Sequence, residues 1–454
     1  MNRRELIAGV GAGALSAVAA GKLWSRDTAA TRGMVLSTAG CGRATGYAEA
    51  SKIVTLGART HVTWLDAEAD GFRVRIRTLD RSTGRWSETR TVGEAQDNHG
   101  GPALTVDGQG YLHIVYYPHH QSFRYRRSQR PNDASEWESE ILFGEGLSYP
   151  VLLCGPDDTL YLSARRKFLP PAGSKDSPPW ELEWWKKPVS GPWRRERAVL
   201  RSRHPNYTHF QESLAWGADH RTIHLACRIY ETTGVKDEAP LQTIGYLVSP
   251  DAGVTWRRVD GTVVALPATA ATVDVIERGG GASGRTLYSG SVAVDRGGRS
   301  HRLLTVREKA GAARTYVATP GPGAGWTQRD LHAFLPERYR DWDLVSPGAM
   351  TFSASGRVTI VATLAKLAPG ESDWAHATND IVRFWSDDGA LTFRCEVLDP
   401  GSGKRPRWLP NLERPTGHHS VPDEPGIIFT AGSGGAGLHE RLLNNEVCWW
   451  PANG

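Results

Sequence analysis

The chain has 454 residues, a formal net charge of +5 and 23% charged residues. This mild positive charge permits an acidic substrate but falls well short of the basic surface that nucleic-acid binding requires, so we expect no nucleic-acid partner. The length is sufficient for one large domain or two ordinary ones.

The N-terminus predicts an export signal with a short linker over residues 1–30, followed by one catalytic domain over residues 31–454. Arg3-Arg4 precedes a Gly/Ala-rich, mildly apolar stretch that ends near Ala20 and contains small residues suited to cleavage. Paired arginines in this context are typical of a twin-arginine signal. Because the stretch is shorter than the ~20 residues that span a bilayer, we expect an exported protein, periplasmic or secreted, rather than a membrane-anchored one.

The cysteines argue against a disulfide framework or a zinc knuckle, since they are odd in number and show no CxxC spacing. They are Cys41, Cys154, Cys227, Cys395 and Cys448. Cys154 and Cys227 lie inside apolar runs, where a small buried hydrophobe is expected.

A repeated pattern of two apolar runs around a Gly/Asp turn predicts an all-β protein. These predicted hairpins span Ile53–Leu65, Pro102–Tyr117, Pro150–Ala164, Ser213–Ile229, Ser289–Val306, Gly348–Leu364 and, more weakly, the region around Ser420–Ala431. An aromatic residue follows each hairpin in an outer-strand context, namely Trp86, Trp137, Trp193, Trp256, Trp326, Phe393 and Trp449. Seven such units predict a seven-bladed β-propeller in one domain.

Two short motifs support a propeller. Residues 249–256 fit the Asp-box pattern S-x-D-x-G-x-x-W, and residues 386–393 form a degraded copy with Ala390 where glycine is expected. Such boxes form turns on the outer hairpins of sialidase-like propellers. They indicate a fold and say little about chemistry.

The second and third predicted hairpins carry the candidate site. Folding the second about its turn places His99 opposite His119, and the same operation on the third pairs Tyr149 with Arg165. In a propeller these positions share one face near the central axis. The segment before the next inner strand adds Tyr207 or His209 to that face. Imidazole, phenol and guanidinium groups together are suited to acid/base chemistry on an anionic ligand.

The segment from Asp97 to Arg127 opens with Asp-Asn-His-Gly-Gly and closes with Tyr-x-x-His-His. It resembles the BNR-repeat propellers that include the ulvan lyases and related rhamnose–glucuronate lyases. That resemblance implies an active site with a histidine before the second blade, a second histidine some twenty residues on, a Tyr–Arg pair in the third blade and a tyrosine before the fourth.

Each position of the family pattern has a matching residue in this sequence. The implied catalytic residues are His99, His119, Tyr149 and Arg165, and the implied substrate-binding residues are Tyr207, His209, His120 and Arg166. The last two are immediate neighbours of His119 and Arg165, and the pattern alone does not choose within each pair.

The implied reaction is β-elimination at a glucuronate or iduronate linked to rhamnose. Arg165, with help from His119 and Tyr207, neutralises the uronate carboxylate so that the C5 proton becomes acidic enough to remove. Tyr149, whose phenolate Arg165 is expected to favour, serves as base and acid, with His99 as the other acid/base candidate. The scheme requires no cofactor and no metal, and is compatible with a structural calcium in the central channel. We expect a monomer that acts on an acidic polysaccharide or oligosaccharide.

Three other functions stay open at this point. A sialidase-like hydrolase would share the propeller but needs a carboxylate pair or a Tyr–Glu nucleophile. An exo-acting α-L-rhamnosidase of the same family would release rhamnose from a rhamnosyl-glucuronate end. A non-catalytic glycan-binding propeller would need aromatic platforms but no His/Tyr/Arg cluster.

Overall fold

The structure is a computed structural model that describes residues 33–173, 177–309, 311–323, 325–398, 405–433 and 444–450. The predicted export signal and linker lie outside the described residues. Within the described ranges, no helix has the length and apolarity needed to cross a membrane.

The described residues form thirty strands and three short 3-10 helices, which confirms the all-β prediction. Strands β1 to β10 are Met34–Gly40, Ile53–Leu56, Arg59–Glu68, Gly71–Asp80, Arg85–Trp86, Arg90–Ala95, Ala103–Val106, Leu112–Tyr116, His119–Arg130 and Asp133–Trp137. Strands β11 to β20 are Ile141–Cys154, Leu160–Arg166, Glu181–Lys187, Arg194–Arg201, Thr208–His209, Ser213–Trp216, Ile223–Glu231, Leu241–Ser249, Asp274–Gly280 and Thr286–Val294. Strands β21 to β30 are Ser300–Arg307, Ala313–Pro320, Trp326–Asp330, Asp343–Phe352, Val358–Ala365, Asp380–Ser386, Arg394–Val397, Arg407–Leu412, Ile427–Ala431 and Asn445–Trp450. The helices are Gly281–Ser283, Leu331–Phe334 and Glu337–Tyr339.

These strands pair into five antiparallel sheets within the described ranges. Two sheets, β20–β23 and β24–β27, consist of four consecutive strands. An eight-stranded sheet arises because the long strand β11 pairs first with β9 and then with β12. A nine-stranded sheet arises because β1 pairs with β30, so that Met34 lies opposite Trp449. The two ends of the domain are thereby joined by backbone hydrogen bonds. Sheet pairing alone leaves the number of blades open.

Burial along the strands explains how the sequence forms these sheets. Strand β25 is apolar or threonine throughout and buried at every position, as expected for a strand with packed sheets on both faces. Strand β4 instead alternates arginines with Val74 and Ile76, and only the aliphatic side chains are fully buried. Strands buried on both faces are therefore recognised in the sequence by continuous apolar runs, and strands exposed on one face by alternating polar and apolar residues.

Six of the seven predicted hairpins are present as β2–β3, β7–β8, β11–β12, β16–β17, β20–β21 and β24–β25. The seventh is wrong in its first strand, because β29 pairs with β28 and not with a strand near Ser420. The intervening residues 413–426 contain three prolines, which remove backbone donors and disfavour a strand. Trp449 lies in β30, between β29 and β1, and so is not in an outermost strand.

Both predicted Asp-box motifs form the expected turn. The Ser249 hydroxyl accepts a hydrogen bond from the backbone N–H of Gly253, and the Asp251 carboxylate accepts one from Thr255. Trp256 is buried and meets Trp184 edge to face at 5.8 Å, which joins two neighbouring sheets. The second motif makes the same bonds from Ser386 and Asp388.

Candidate active site

Two histidine rings stack at the open end of the β7–β8 hairpin. The rings of His99 and His119 lie 4.0 Å apart between centroids and only 23° from parallel. Asp97 joins them, because its two carboxylate oxygens lie 2.8 Å from Nδ1 of His119 and 3.2 Å from Nδ1 of His99. An ionised carboxylate can only accept hydrogen bonds, so Nδ1 of each ring carries the proton. Nε2 of each ring is left for a ligand.

The electrostatics of this group are set by opposing effects. Burial acts to raise the pKa of Asp97, but hydrogen bonds from His119 and His99 outweigh it and hold the pKa well below its ordinary value. Burial lowers the pKa of His99, and the Asp97 hydrogen bond offsets only part of this effect. At neutral pH the structure therefore contains an ionised Asp97 and a neutral His99 imidazole.

Arg165 lies beneath Tyr149, with its guanidinium carbon 4.5 Å from the centroid of the phenol ring. The predicted contact is thus present, although the strand partner of Arg165 is Ser148. The one-residue difference arises because the pairing is irregular after Ser148, where Tyr149 has a φ of 58°. A backbone in this left-handed region turns the side chain away from a regular strand direction.

The guanidinium of Arg165 is fully buried and incompletely bonded. Nη1 lies 3.5 Å from the hydroxyl of Tyr207 and 3.4 Å from the carbonyl oxygen of Thr208, both long contacts. Nε and Nη2 are buried without a hydrogen-bond partner among the described residues. An unpaired buried cation is costly, so these nitrogens indicate a binding position for an anionic ligand.

Tyr149 is protonated in the ligand-free structure. Burial raises its pKa to about 12, and the attraction of Arg165 for the phenolate lowers the pKa by less than burial raises it. Arg165 therefore favours the phenolate, as the sequence predicts, but not by enough to make the phenolate the resting form. Desolvation outweighs one neighbouring cation here because the tyrosine is almost completely enclosed.

Three further predicted residues join the cluster. The ring of His209 lies 4.8 Å from that of Tyr149, and burial together with Arg165 holds the pKa of His209 well below its ordinary value. His120 stacks on His119 at 4.2 Å, and burial with Arg165 lowers the pKa of His120 to about 3. Tyr207 is half exposed at the rim.

Arg166 is not brought to this cluster. Successive side chains on a strand point to opposite faces, so Arg166 lies on the other side of β12 from Arg165. There its Nη1 bonds a carboxylate oxygen of Glu183 at 3.2 Å, and its guanidinium lies over Phe168. The sequence ambiguity between the two arginines is resolved by this alternation.

A cleft of about 280 Å³ lies over the cluster, and His99, Tyr149, Tyr207 and His209 line it. The sequence interpretation did not assign other lining residues to this site, among them Arg43, Tyr47, Arg228, Tyr288, Asp373 and Trp374. Most of these lie in connecting segments without a strand pattern. Asp97, which orients both histidines, could have been found from its position two residues before His99.

Two groups of metal-ligand type occur in the described residues. One is Asp97 with His99 and His119, and the other is Cys154, Asp158 and His418 at the turn end of the inner strands. Each group offers one carboxylate beside nitrogen or sulfur ligands. Calcium takes six to eight oxygen ligands, so neither group fits the structural calcium considered from the sequence.

The chain resembles known proteins in both sequence and structure. The model of a BNR repeat-containing family matches residues 59–334. A curated ulvan lyase of family PL25 from Pseudoalteromonas sp. (strain PLSV) is 30% identical over a segment that covers 17% of this chain and 21% of that enzyme. The alignment thus spans about a fifth of the relative's length.

Solved structures share the fold over nearly the whole chain. A PL25 ulvan lyase bound to -[GlcA(1-4)Rha3S]- superimposes with a TM-score of 0.67 and 15% identity, covering 92% of this chain and 95% of that one. The polysaccharide lyase Uly1 gives a TM-score of 0.58 at 12% identity, covering 92% and 98%.

Proposed function

This chain belongs to the BNR repeat-containing family, as its sequence resemblance indicated, and from that premise we propose that it is a polysaccharide lyase acting on a uronate-containing polysaccharide by β-elimination. The observation that carries the proposal is Arg165, a fully buried cation with two unpaired nitrogens beside Tyr149, Tyr207 and the stacked histidines. The glucuronate–rhamnose oligosaccharide bound to one ulvan lyase relative suggests glucuronate linked to rhamnose as the substrate class, and iduronate is kept in the proposal from the sequence resemblance.

We further propose that the sheets make up seven four-stranded blades. The consecutive four-stranded sheets β20–β23 and β24–β27 supply the unit. The eight-stranded sheet divides into two such units within the long strand β11, and β28, β29 and β30 with β1 make another. In this arrangement the first strand of the domain completes the last blade, which would close the ring.

Carboxylate neutralisation is the first requirement of the proposed reaction. The C5 proton of a uronate is too weakly acidic to remove while the adjacent carboxylate keeps its full charge. Arg165 would donate to that carboxylate from Nε and Nη2, and the Tyr207 hydroxyl lies close enough to join it. Because Asp97 holds the Nδ1–H of His119, Nε2 of that ring can join the clamp as a donor only when both ring nitrogens carry a proton. These donors stabilise the enolate-like intermediate as its charge develops.

Proton transfer is assigned to the two groups whose protonation states suit it at neutral pH. Neutral His99 takes the C5 proton at Nε2, while Nδ1 stays bonded to Asp97. Electrons of the C5–H bond form the C4–C5 double bond as the C4–O bond breaks. Protonated Tyr149 then gives its proton to the leaving oxygen. The proposal differs from the sequence interpretation, in which Tyr149 served as both base and acid.

The pH dependence of kcat/KM should report these two groups. Because the pKa of His99 is lowered, the basic form is present from below pH 6.5 upward, and because the pKa of Tyr149 is about 12, the acidic form persists into alkaline solution. We expect a broad plateau across neutral pH, with an acid limb below pH 6.5. A rate profile measured on a soluble oligosaccharide tests this. An alkaline limb centred near neutrality would contradict the assignment of Tyr149 as the acid.

Asp97→Asn should lower kcat by roughly a hundredfold, because an amide no longer fixes the Nδ1–H tautomer of His99 and His119. Loss of the carboxylate also removes an effect that raises the pKa of His99, so the acid limb should move to lower pH. Asp295→Asn is the matched control, since Asp295 makes the same kind of bond to His301 at a turn remote from the cleft. Equal activity loss in both variants would contradict the role of Asp97.

The proposed function is tested by incubating the purified protein with polymers that contain rhamnose–glucuronate linkages and recording the ultraviolet absorbance of a 4,5-unsaturated uronate. Release of rhamnose without this absorbance would favour the α-L-rhamnosidase alternative. A sialidase-like hydrolase is less well supported, because Asp373 is the one acidic residue of the described chain that lines the cleft and it pairs with Arg307 at 3.5 Å. Binding of these polymers without formation of any product would indicate a non-catalytic glycan-binding propeller.

The proposed chemistry uses no cofactor, because arginine performs the neutralisation. Export through the N-terminal signal would bring the enzyme to polymers that cannot enter the cytoplasm. A monomeric state is part of the same proposal, since every group invoked comes from one chain.

A further inference from the structure

A cluster of metal-ligand side chains lies at the end of the inner strands opposite to the candidate active site. Its members are Cys154, Asp158, His220 and His418. Cys154 ends strand β11 and Asp158 lies in the turn before β12, whereas Tyr149 and Arg165 lie at the other end of the same hairpin. The rise per residue along a strand places Cys154 roughly 16 Å from Tyr149. The proposed reaction uses none of the four side chains.

Three of these side chains converge on one point. The thiol sulfur of Cys154, a carboxylate oxygen of Asp158 and a ring nitrogen of His418 all lie within 4.8 Å of one another. Nitrogen, oxygen and sulfur ligands lie about 2.0–2.3 Å from Zn²⁺, so in a tetrahedral site they are roughly 3.3–3.8 Å apart. Small rotations of the side chains therefore bring the three atoms to one metal ion.

Backbone carbonyls orient both histidines of the cluster. Nε2 of His220 lies 3.0 Å from the carbonyl oxygen of Cys154, and Nε2 of His418 lies 2.8 Å from that of Gly155 and 3.2 Å from Oδ1 of Asp158. A carbonyl oxygen can only accept, so each Nε2 carries a proton and each Nδ1 keeps the lone pair that a metal requires. Metal-bound histidines usually donate their other N–H in this way. The two rings are 5.1 Å apart, which makes His220 the candidate for a fourth ligand.

Hydrogen bonds between separate chain segments hold the cluster in place. The backbone N–H of Cys154 donates to the carbonyl oxygen of Thr416 at 2.8 Å, and that of His418 donates to the carbonyl oxygen of Val106 at 3.1 Å. Oδ1 of Asp158 accepts from the backbone N–H of Gly108 at 2.6 Å. These bonds position the ligands before a metal binds. Because the ligands are far apart in the sequence, they form no short metal-binding motif.

The ligand types favour a transition metal over calcium or magnesium. One thiol, two imidazoles and one carboxylate match the nitrogen and sulfur preference of Zn²⁺, whereas calcium and magnesium take oxygen ligands. Cys154 is a free, fully buried cysteine, and its sulfur has one weak contact, 3.7 Å from the carbonyl oxygen of Gly155. The group around Asp97 contains no thiol, and its two histidines direct their Nδ1 protons to the carboxylate.

We propose that Cys154, Asp158, His220 and His418 bind one structural Zn²⁺ ion. The ion joins residues 413–426, which connect β28 to β29, to the β11–β12 and β16–β17 turns. Prolines in this connection disfavour strand pairing, and the metal supplies a cross-link in its place. On binding, the Cys154 thiol releases its proton to solvent and coordinates as the thiolate. Four protein ligands leave no open position for a substrate, as is typical of structural zinc sites.

The inference is tested on full-length protein stripped of metal with a chelator and then titrated with Zn²⁺ or Co²⁺. Calorimetry gives the affinity and the number of ions per chain, and Co²⁺ bound to a thiolate gives a charge-transfer absorption band. Cys154→Ala and His418→Gln remove proposed ligands, and Cys448→Ala is the matched control because Cys448 is also a free, buried cysteine. His99→Gln reports on the other metal-ligand group. Thermal unfolding is recorded for each protein with and without Zn²⁺.

We expect one Zn²⁺ per chain and a higher unfolding temperature with Zn²⁺ in the wild-type, Cys448→Ala and His99→Gln proteins. Affinity should fall by about a hundredfold or more in His418→Gln, and the cobalt–thiolate band should be absent from Cys154→Ala. If Cys154→Ala does not fold, the half-buried His418 provides the test through His418→Gln. A band that survives in Cys154→Ala, binding that is lost only in His99→Gln, or no stoichiometric binding at all would overturn the proposal. These readouts do not depend on elimination, so the metal site and the proposed lyase can fail separately.

Discussion

Replacing Arg165 with methionine is expected to lower kcat/KM for elimination by about a thousandfold while leaving the fold intact. Methionine fills a similar volume and removes a fully buried guanidinium whose Nε and Nη2 have no hydrogen-bond partner among the described residues. Because Arg165 is desolvated with no ion pair among the described residues, only two long hydrogen bonds and its contacts with aromatic rings offset the cost of burying its charge in the ligand-free protein. Thermal unfolding of the variant should therefore occur at the wild-type temperature or slightly above it. Arg165→Lys should recover little activity, since an ammonium does not reproduce the planar fork.

Arg302→Met is the matched control for this prediction. Arg302 is also fully buried, but its guanidinium donates to the carbonyl oxygens of Gly245 and Cys227 and to the hydroxyl of Ser289 at 2.7 to 3.1 Å. Its removal leaves buried acceptors unsatisfied, at about 1–3 kcal/mol each. We expect Arg302→Met to lower the unfolding temperature. A comparable loss of stability in Arg165→Met would mean that Arg165 holds the fold together rather than awaiting an anion.

Part of the candidate site could be predicted from the sequence. Hairpin symmetry was sufficient to bring His99, His119, Tyr149 and Arg165 together, because strand pairing is local and a tight turn fixes which ends meet. The same reasoning was wrong by one residue at Tyr149, where the backbone is irregular. Alternation along β12 could in principle have excluded Arg166, but only once the direction of Arg165 was known.

Other features could not be predicted from local pattern at all. Arg43 and Trp374 lie in connecting segments more than 300 residues apart, and only the arrangement of sheets brings them to one wall of the cleft. The protonation of Tyr149 also escaped the sequence interpretation, because it depends on how completely neighbouring strands enclose the phenol. The first strand of the seventh predicted hairpin was misplaced, because β28 and its partner β29 are separated by a long proline-containing segment rather than by a short turn.

Tyr149→Phe is expected to lower kcat for elimination by about a hundredfold to ten-thousandfold, because the leaving oxygen would depart without a proton donor. Phenylalanine keeps the ring that packs against Arg165 and Tyr47, so the cleft should retain its shape and its affinity for oligosaccharide. Initial rates of unsaturated uronate formation measure the first effect, and calorimetric binding measures the second. Tyr207→Phe, which removes one hydroxyl of the proposed carboxylate clamp, should also lower kcat, but by less than the loss of the acid.

The choice between acid and base can be made with a substrate whose leaving group needs no proton. A uronate that carries fluoride or a nitrophenolate at C4 should be eliminated by Tyr149→Phe nearly as fast as by the wild-type protein, since only protonation of the leaving group is lost. His99→Ala should remain slow on the same substrate, because removal of the C5 proton is still required. The opposite pattern, with His99→Ala rescued and Tyr149→Phe slow, would make Tyr149 the base in spite of its pKa of about 12. A phenol with that pKa could act as the base only after the bound substrate and Arg165 had lowered its pKa far towards neutrality. Arg165 would have to achieve this against the opposing effect of burial. His99, already neutral and oriented by Asp97, meets no such requirement.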